Sequence, residues 1–317
     1  MKVLKWMGII AGVIVMAGAG AYFFAQSNLR DLDDVERRKA PGKFAELSDG
    51  KVHYQWFGPG DGDVVVLVHG FSTPSFVWRG LIGPLTEAGL RVLSYDNYGR
   101  GWSDRPDLDN DADLFDRQLV ELLKSQGVTE PFNLLGYSMG GAISINYVSR
   151  HPGSAKRLAL IAPAGFPDPE NAASKLLAMV NFPVIGEWIM AVVGNKLMIK
   201  GLMKPENQSN VIPDLVERYI EQASYRGYLR SLISTIRHFP LTTAQPAFEK
   251  VGKQALPVAV IWGDLDSIVP YANAAMVKRA IPRLDLTTIK GGHHSITYTQ
   301  VDKVAASLVP FFTAPDE

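Results

Sequence analysis

The residues in this chain best placed to do chemistry are a serine, two aspartates and two histidines. Gly136-Tyr137-Ser138-Met139-Gly140-Gly141 follows a strand-like run, Phe132-Asn133-Leu134-Leu135, and precedes a helix-like one, Ala142 to Arg150. A serine hydroxyl is a weak nucleophile and must be exposed beside a base. A sharp strand-to-helix turn achieves this, and Gly136 and Gly140 leave the space such a turn needs. The start of the following helix also favours negative charge developing nearby. The bland alternative is a glycine-rich turn with an incidental serine. The strand–turn–helix context favours Ser138 as a nucleophile.

Three further segments complete a candidate constellation. Val68-His69-Gly70-Phe71 closes an apolar, strand-like run. In that position the Phe71 N–H, together with the Met139 N–H, is suited to receive the oxyanion of a tetrahedral intermediate. His69 reads as structural, a holder of its loop. Trp262-Gly263-Asp264-Leu265-Asp266 ends a late strand, and Lys290-Gly291-Gly292-His293-His294 follows the last one. The order serine, acid, histidine is one in which a histidine takes the serine proton and an aspartate fixes its tautomer. His293 is the expected base, and the choice between the two nearby carboxylates stays open.

These motifs resemble the α/β-hydrolase superfamily, in its lipase/esterase branch, which includes monoacylglycerol-lipase-like and membrane-bound phospholipase A-like members. The resemblance covers roughly residues 43–312. It rests on His69-Gly70, on Asp96-Asn97-Tyr98-Gly99-Arg100-Gly101-Trp102-Ser103, on the elbow at Ser138, on Trp262 to Asp266 and on Gly292-His293. It implies Asp266 as the acid and His293 as the base, with Asp264 and His294 as their immediate rivals. Relatives that displace halide or open epoxides carry aspartate at the elbow. Serine here points to acyl transfer, although serine-dependent carbon–carbon hydrolases and haloperoxidases share the elbow.

The elements that would position these groups alternate. Phe44–Leu47 and Val52–Phe57 flank Ser48-Asp49-Gly50, the signature of a hairpin. Val64–Val68 is a continuous β-branched run, suited to a strand buried on both faces of a parallel sheet. Similar runs recur at Arg91–Tyr95, Phe132–Leu135, Leu158–Ile161, Val258–Trp262 and Leu284–Ile289, with helical patterns near 76–88, 113–126, 139–150 and 271–281. The expectation is an α/β fold, a mostly parallel central sheet. The core would comprise residues 43–167 and 249–317. Residues 168–248 break the alternation, reading as a helical cap rich in Leu176, Leu177, Met179, Phe182, Trp188, Leu197 and Met203. Flexible apolar side chains in that number suit a greasy pocket or a lid that meets lipid.

The first 26 residues differ from the rest. Lys2 and Lys5 precede an uncharged run from Trp6 to Ala25, long enough to cross a hydrocarbon core of about 30 Å. A cleaved signal peptide is the rival, but its apolar core is usually shorter. The expectation is a single-pass anchor over 1–26, a juxtamembrane helix or linker over 27–42, and a catalytic domain on the non-cytoplasmic side. Gly8 and Gly12 form a GxxxG, a candidate face for a homodimer.

Composition excludes several classes. There is no cysteine, so disulfides and thiolate chemistry are absent. Lys plus Arg and Asp plus Glu each number 32, leaving no basic excess for nucleic acid. No metal-ligand spacing and no cofactor-binding motif is present, and His53, His151 and His238 read as surface or packing residues. The sequence therefore points to a membrane-anchored serine ester hydrolase whose substrate is a lipid or acyl ester. Small soluble esters, a carbon–carbon bond, or a non-catalytic binding role are the alternatives.

Overall fold

The computed structural model describes residues 2–167 and 179–315, and the side chains of all of these except 2–4, 8, 11, 14 and 15. Helix α1, Lys2–Ser27, is followed by the single turn α2, Asp34–Arg37, whose Glu36 N–H donates to the Asp33 side chain. Strands β1 (Lys43–Leu47) and β2 (Gly50–Phe57) form the hairpin, with β3 (Val64–Val68) next. Helix α3 (Arg79–Glu87), β4 (Arg91–Tyr95), α4 (Ala112–Ser125), β5 (Phe132–Tyr137), α5 (Met139–Arg150) and β6 (Ala155–Ile161) continue the alternation.

Between β6 and the next strand the regular elements among the described residues are helices. They include α6 (Ile185–Ile189), a π-helical stretch at Met190–Gly194, α7 (Asn195–Leu202), α8 (Leu215–Ala223), α9 (Tyr228–His238) and α10 (Gln245–Gly252). The chain then completes its core with β7 (Val258–Gly263), α11 (Asn273–Ala280), β8 (Asp285–Ile289), α12 (Ile296–Thr299) and α13 (Val301–Thr313).

The eight strands form one sheet in the order β1-β2-β4-β3-β5-β6-β7-β8. The first two pairings, β1 with β2 and β2 with β4, are antiparallel, and the rest are parallel. Helices on both faces explain why β5 and β7 are buried along their whole length and why they read as unbroken apolar runs. Each fully buried valine or leucine in such a run contributes about 1.5–3 kcal/mol. Because these strands are parallel, their carboxyl ends lie along one edge, which gathers Val68, Tyr137, Ile161, Gly263 and Ile289 and the loops that follow them.

The expected anchor takes the form of one long helix. Counting described residues alone, neither α1 nor any other helix is long and apolar enough to cross a membrane. Gly8, half of the expected dimer face, falls outside the described side chains; a Cβ on Gly12 would have nothing within 4 Å. Leu176 and Leu177 of the expected cap also lie outside the described residues.

The N-terminal segment is bound to the helical insertion. Trp188 Nε1 donates to the Gly18 carbonyl at 2.8 Å. Arg30 forms an isolated parallel bridge with Tyr225, with Arg30 N–H to Ser224 O at 2.9 Å and Arg226 N–H to Arg30 O at 2.7 Å. Tyr225 Oη donates to Glu36 at 2.7 Å and Arg226 pairs with Asp31 at 2.9 Å, so the strap continues through side chains.

Candidate active site

Ser138 stands between β5 and α5 with φ 55° and ψ −119°, a left-handed conformation that costs a non-glycine residue about 1–3 kcal/mol. Its surroundings enforce it. The Ser138 N–H donates to Ile161 O at 2.9 Å, and its carbonyl accepts from Gly141 and Ala164 N–H at 2.9 and 3.0 Å. The flanking glycines answer to close backbone approach. A Cβ on Gly136 would lie 2.6 Å from Ser144 Oγ, and one on Gly140 would overlap the Val68 carbonyl. The elbow is thereby pressed onto the end of β3, where a Cβ on Gly70 would stand 3.3 Å from Ser138 Cβ.

The imidazole at the nucleophile is that of His294. Its Nε2 lies 2.9 Å from Ser138 Oγ, and its Nδ1 lies 2.7 Å from Asp266 Oδ2. A carboxylate only accepts, so Nδ1 carries the proton and donates to Asp266. Nε2 is then left bare to accept the serine hydroxyl. The other Asp266 oxygen accepts the Ile268 and Val269 N–H groups, both at 2.9 Å, which fixes the carboxylate plane. Ser138 and Asp266 are buried, at 8% and 6% exposure, and His294 is nearly so, which keeps water from competing for these bonds.

The expectation that His293 is the base is corrected here. Gly292 is packed so tightly on Gly263 that a Cβ on Gly263 would overlap the Gly292 carbonyl, and the Leu265 N–H donates to that carbonyl at 2.8 Å. Gly291, at φ 67°, completes the turn, with its N–H held by Asp264 Oδ1 at 2.7 Å. One further residue is needed to leave this turn. The His293 carbonyl accepts the Ile296 N–H at 3.3 Å, and the His294 carbonyl is held by Tyr137 Oη at 2.9 Å, with the Tyr137 and His294 ring centroids 5.1 Å apart. His293 instead lies within electrostatic reach of Glu206. Of the two carboxylates, Asp264 caps the loop and Asp266 meets the imidazole.

Met139 is fully buried at the first turn of α5, where helix geometry leaves N–H groups without an intrahelical acceptor. Phe71 follows Gly70 in the loop after β3, and its carbonyl accepts from Arg100 Nε at 2.9 Å. His69 is completely buried. Its Nε2 accepts the Asn97 N–H at 2.8 Å and its Nδ1 donates to Gly70 O at 2.9 Å, so it is neutral and welds the loops after β3 and β4. Burial pushes its pKa down to about 4.

His53 is not a lone packing residue. It is buried, with Nδ1 2.8 Å from Asp96 Oδ2 and Nε2 against the Pro41 carbonyl. Both partners accept, so both ring nitrogens carry protons. Burial pushes the His53 pKa down, but the Asp96 charge and hydrogen bond outweigh it and the net shift is upward. Burial pushes Asp96 up, but His53 and further donors outweigh it and hold the carboxyl well below its ordinary range. His151 and His238 likewise face carboxylates, Asp116 and Asp109.

Sequence reasoning missed the groups that back this site. Gln222 Nε2 and Tyr228 Oη both donate to Ser72 O, at 2.6 and 3.0 Å. Arg100 Nη2 donates to Thr235 Oγ1 at 2.9 Å. These contacts join α8 and α9 to the loops after β3 and β4, and no spacing rule reports them. A surface groove of about 930 Å³ lies elsewhere, among Ser209, Val211, Lys290 and Tyr298, and Ser138 does not line it. Among the described residues no group of three or more His, Asp or Glu is arranged to hold a metal ion.

Known proteins carry the same organisation. A cis-3-alkyl-4-alkyloxetan-2-one decarboxylase of Xanthomonas campestris pv. campestris is 30% identical over 75% of this chain and 84% of its own length. A monoacylglycerol lipase of Bos taurus is 23% identical over 86% of this chain and 82% of its own. Among solved structures, Cfl2 of Burkholderia cenocepacia aligns with a TM-score of 0.74 at 25% identity, covering 85% of this chain and 95% of that one. The model of the family described as serine aminopeptidase, S33, matches residues 61–300. With that match over most of its length, the chain belongs to the serine aminopeptidase S33 family within the α/β-hydrolase superfamily, and it is a serine hydrolase.

Proposed function

We propose that this protein is a membrane-anchored carboxylic-ester hydrolase that cleaves lipid-like acyl esters through an acyl-enzyme on Ser138. The observation that carries the reading is the continuous relay from Ser138 Oγ through His294 to Asp266. In the first half-reaction His294 Nε2 takes the hydroxyl proton as Oγ adds to the ester carbonyl. The Phe71 and Met139 N–H groups receive the oxyanion, and Asp266 stabilises the imidazolium. His294 returns the proton to the departing alcohol. Water, activated by the same imidazole, then releases the carboxylic acid and frees Ser138.

Lipid character is supported by the apolar surface. In α1, Trp6, Phe23 and Phe24 are exposed, and the uncharged run Trp6 to Ala25 has the length of a bilayer span. The insertion bound to α1 exposes Met179, Phe182, Val184 and Ile185. A lid with this surface, next to an anchor, brings substrate from the bilayer rather than from solution. The catalytic domain lies on the non-cytoplasmic side in this reading. The relative named as a monoacylglycerol lipase fits it.

A second reading is favoured by the relative named as an oxetan-2-one decarboxylase, since loss of carbon dioxide from such a ring breaks a carbon–carbon bond. Detergent-solubilised protein assayed on p-nitrophenyl esters of graded chain length separates the two. A preference for medium or long chains, lost in Ser138→Ala, supports the lipid-ester reading. Hydrolysis no faster for long chains than for acetate would sink its lipid part. Carbon dioxide release from a dialkyl oxetan-2-one without ester turnover would replace it with the second reading.

A further inference from the structure

Arg100 is completely buried, and among the described residues no carboxylate is hydrogen-bonded to it. Its Nε donates to the Phe71 carbonyl at 2.9 Å, Nη1 to the Tyr98 carbonyl at 3.2 Å and Nη2 to Thr235 Oγ1 at 2.9 Å. Nη2 also lies 3.9 Å from Met139 Sδ, and the guanidinium carbon is 5.5 Å from the Phe71 ring centroid. Burial lowers its pKa to about 10, so it is charged at neutral pH. Removing a cation from water without a counter-ion costs several kcal/mol. A chain that needed only packing here would be more stable with an apolar side chain.

The contacts say what the charge is for. Arg100 touches both residues whose N–H groups face the oxyanion in the reading above, Phe71 and Met139. Its third anchor, Thr235, belongs to α9 of the insertion, and Thr235 Oγ1 in turn donates a hydrogen bond to Ser231 O at 2.8 Å. The next carbonyl along, that of Ser72, is held by Gln222 of α8 and Tyr228 of α9. The insertion therefore holds the oxyanion loop from behind, directly at the Ser72 carbonyl and through Arg100 at the Phe71 carbonyl.

We propose that Arg100 is a positioning residue for the oxyanion hole, and that its bond to Thr235 makes the hole's geometry depend on the seating of α9. The proposal rests on the assignment of Phe71 and Met139 to that hole. When α9 is seated, the guanidinium fixes the Phe71 carbonyl and so, across the Phe71 Cα, steadies the adjoining Gly70–Phe71 peptide whose N–H meets the developing negative charge. When α9 lifts, the fork loses one of its fixed ends and the loop slackens. Hydrolysis is thus strongest with the insertion closed, a property that holds reactive intermediates away from bulk water.

Thr235→Val keeps the volume and removes the acceptor, whereas Thr235→Ser keeps the hydroxyl. Each, together with Arg100→Lys, is assayed for kcat and KM on p-nitrophenyl butyrate. Affinity for 1-butaneboronic acid, which bonds the nucleophile and presents a tetrahedral anion, is measured alongside, with unfolding temperature as a control. The expected result for Thr235→Val is a kcat lower by about tenfold with KM within about twofold, and a boronate affinity lower by a similar factor. Thr235→Ser is expected to restore both, and Arg100→Lys, which loses the fork, to follow Thr235→Val. Unchanged kcat and boronate affinity in Thr235→Val would overturn the proposal. So would losses that Thr235→Ser does not restore and that merely track unfolding temperature. Boronate binding that survives in Ser138→Ala would instead contradict the reading of the site itself, which keeps the two failures apart.

Discussion

His294 Nε2 lies 2.9 Å from Ser138 Oγ across 156 positions of chain, while the neighbouring His293 is turned out of the relay by a two-glycine turn. A difference of one residue decides which imidazole is the base. His294→Ala is expected to lower kcat by about 10⁴-fold or more on any ester the wild type cleaves, and His293→Ala to stay within a few-fold of wild type. Steady-state rates of the two variants, side by side, check it. Reversed losses would return the role to His293.

Asp266 holds His294 in one tautomer, with its second oxygen tied to the Ile268 and Val269 N–H groups. Asp266→Asn preserves shape but presents an amide where a carboxylate should accept. The expected loss in kcat is about 10⁴-fold with KM little changed. Asp264→Asn, which touches only the Gly291 N–H, is expected to cost activity far less.

The elbow tolerates no side chain at Gly140, because the obstacle is the Val68 backbone rather than a movable group. Gly140→Ala is expected to destabilise by about 3 kcal/mol, and to lower the unfolding temperature by about 5–10 °C. Calorimetry of the variant is the check. An unchanged transition would mean that β3 and α5 can part without cost.

Two buried histidines give opposite pH dependences. In the unfolded chain His69 takes up a proton near 6.5, but in the fold only near 4. Between these values the unfolded state holds more protons, so the stability His69 supports at neutral pH falls by about 3 kcal/mol as pH drops from 6.5 to 4. His53 is shifted upward, so the stability it supports is complete below 6.5 and is lost as pH rises through its folded value. Urea unfolding of wild type, His69→Gln and His53→Gln from pH 4 to 9 tests both signs. The wild-type advantage over His69→Gln should shrink toward acid, and that over His53→Gln toward alkali.

Much of this architecture was legible because it depends on local composition. Val64–Val68 and Arg91–Tyr95 form strands over the very residues their apolar runs mark, since strands covered on both faces need no alternation. Ser138 stood out because a strand, a Gly-x-Ser-x-Gly and a helix occur in immediate succession. What stayed hidden depends on contacts between distant segments. Nothing in the types of His293 and His294 separates them; the packing of Gly292 on Gly263 does. His53 gave no sign of Asp96, 43 positions away, nor Arg100 of Thr235, 135 positions away. The insertion's grip on the Ser72 carbonyl likewise arises only once α8 and α9 are folded over the sheet.

The account stands on Ser138 being activated by His294. A fluorophosphonate that captures activated serines, followed by peptide mass mapping, tests this without knowledge of the substrate. The predicted result is a single adduct on Ser138 that forms in the wild type and in His293→Ala and fails to form in His294→Ala. An adduct on another serine, or labelling of Ser138 that persists at the wild-type rate without His294, would contradict it.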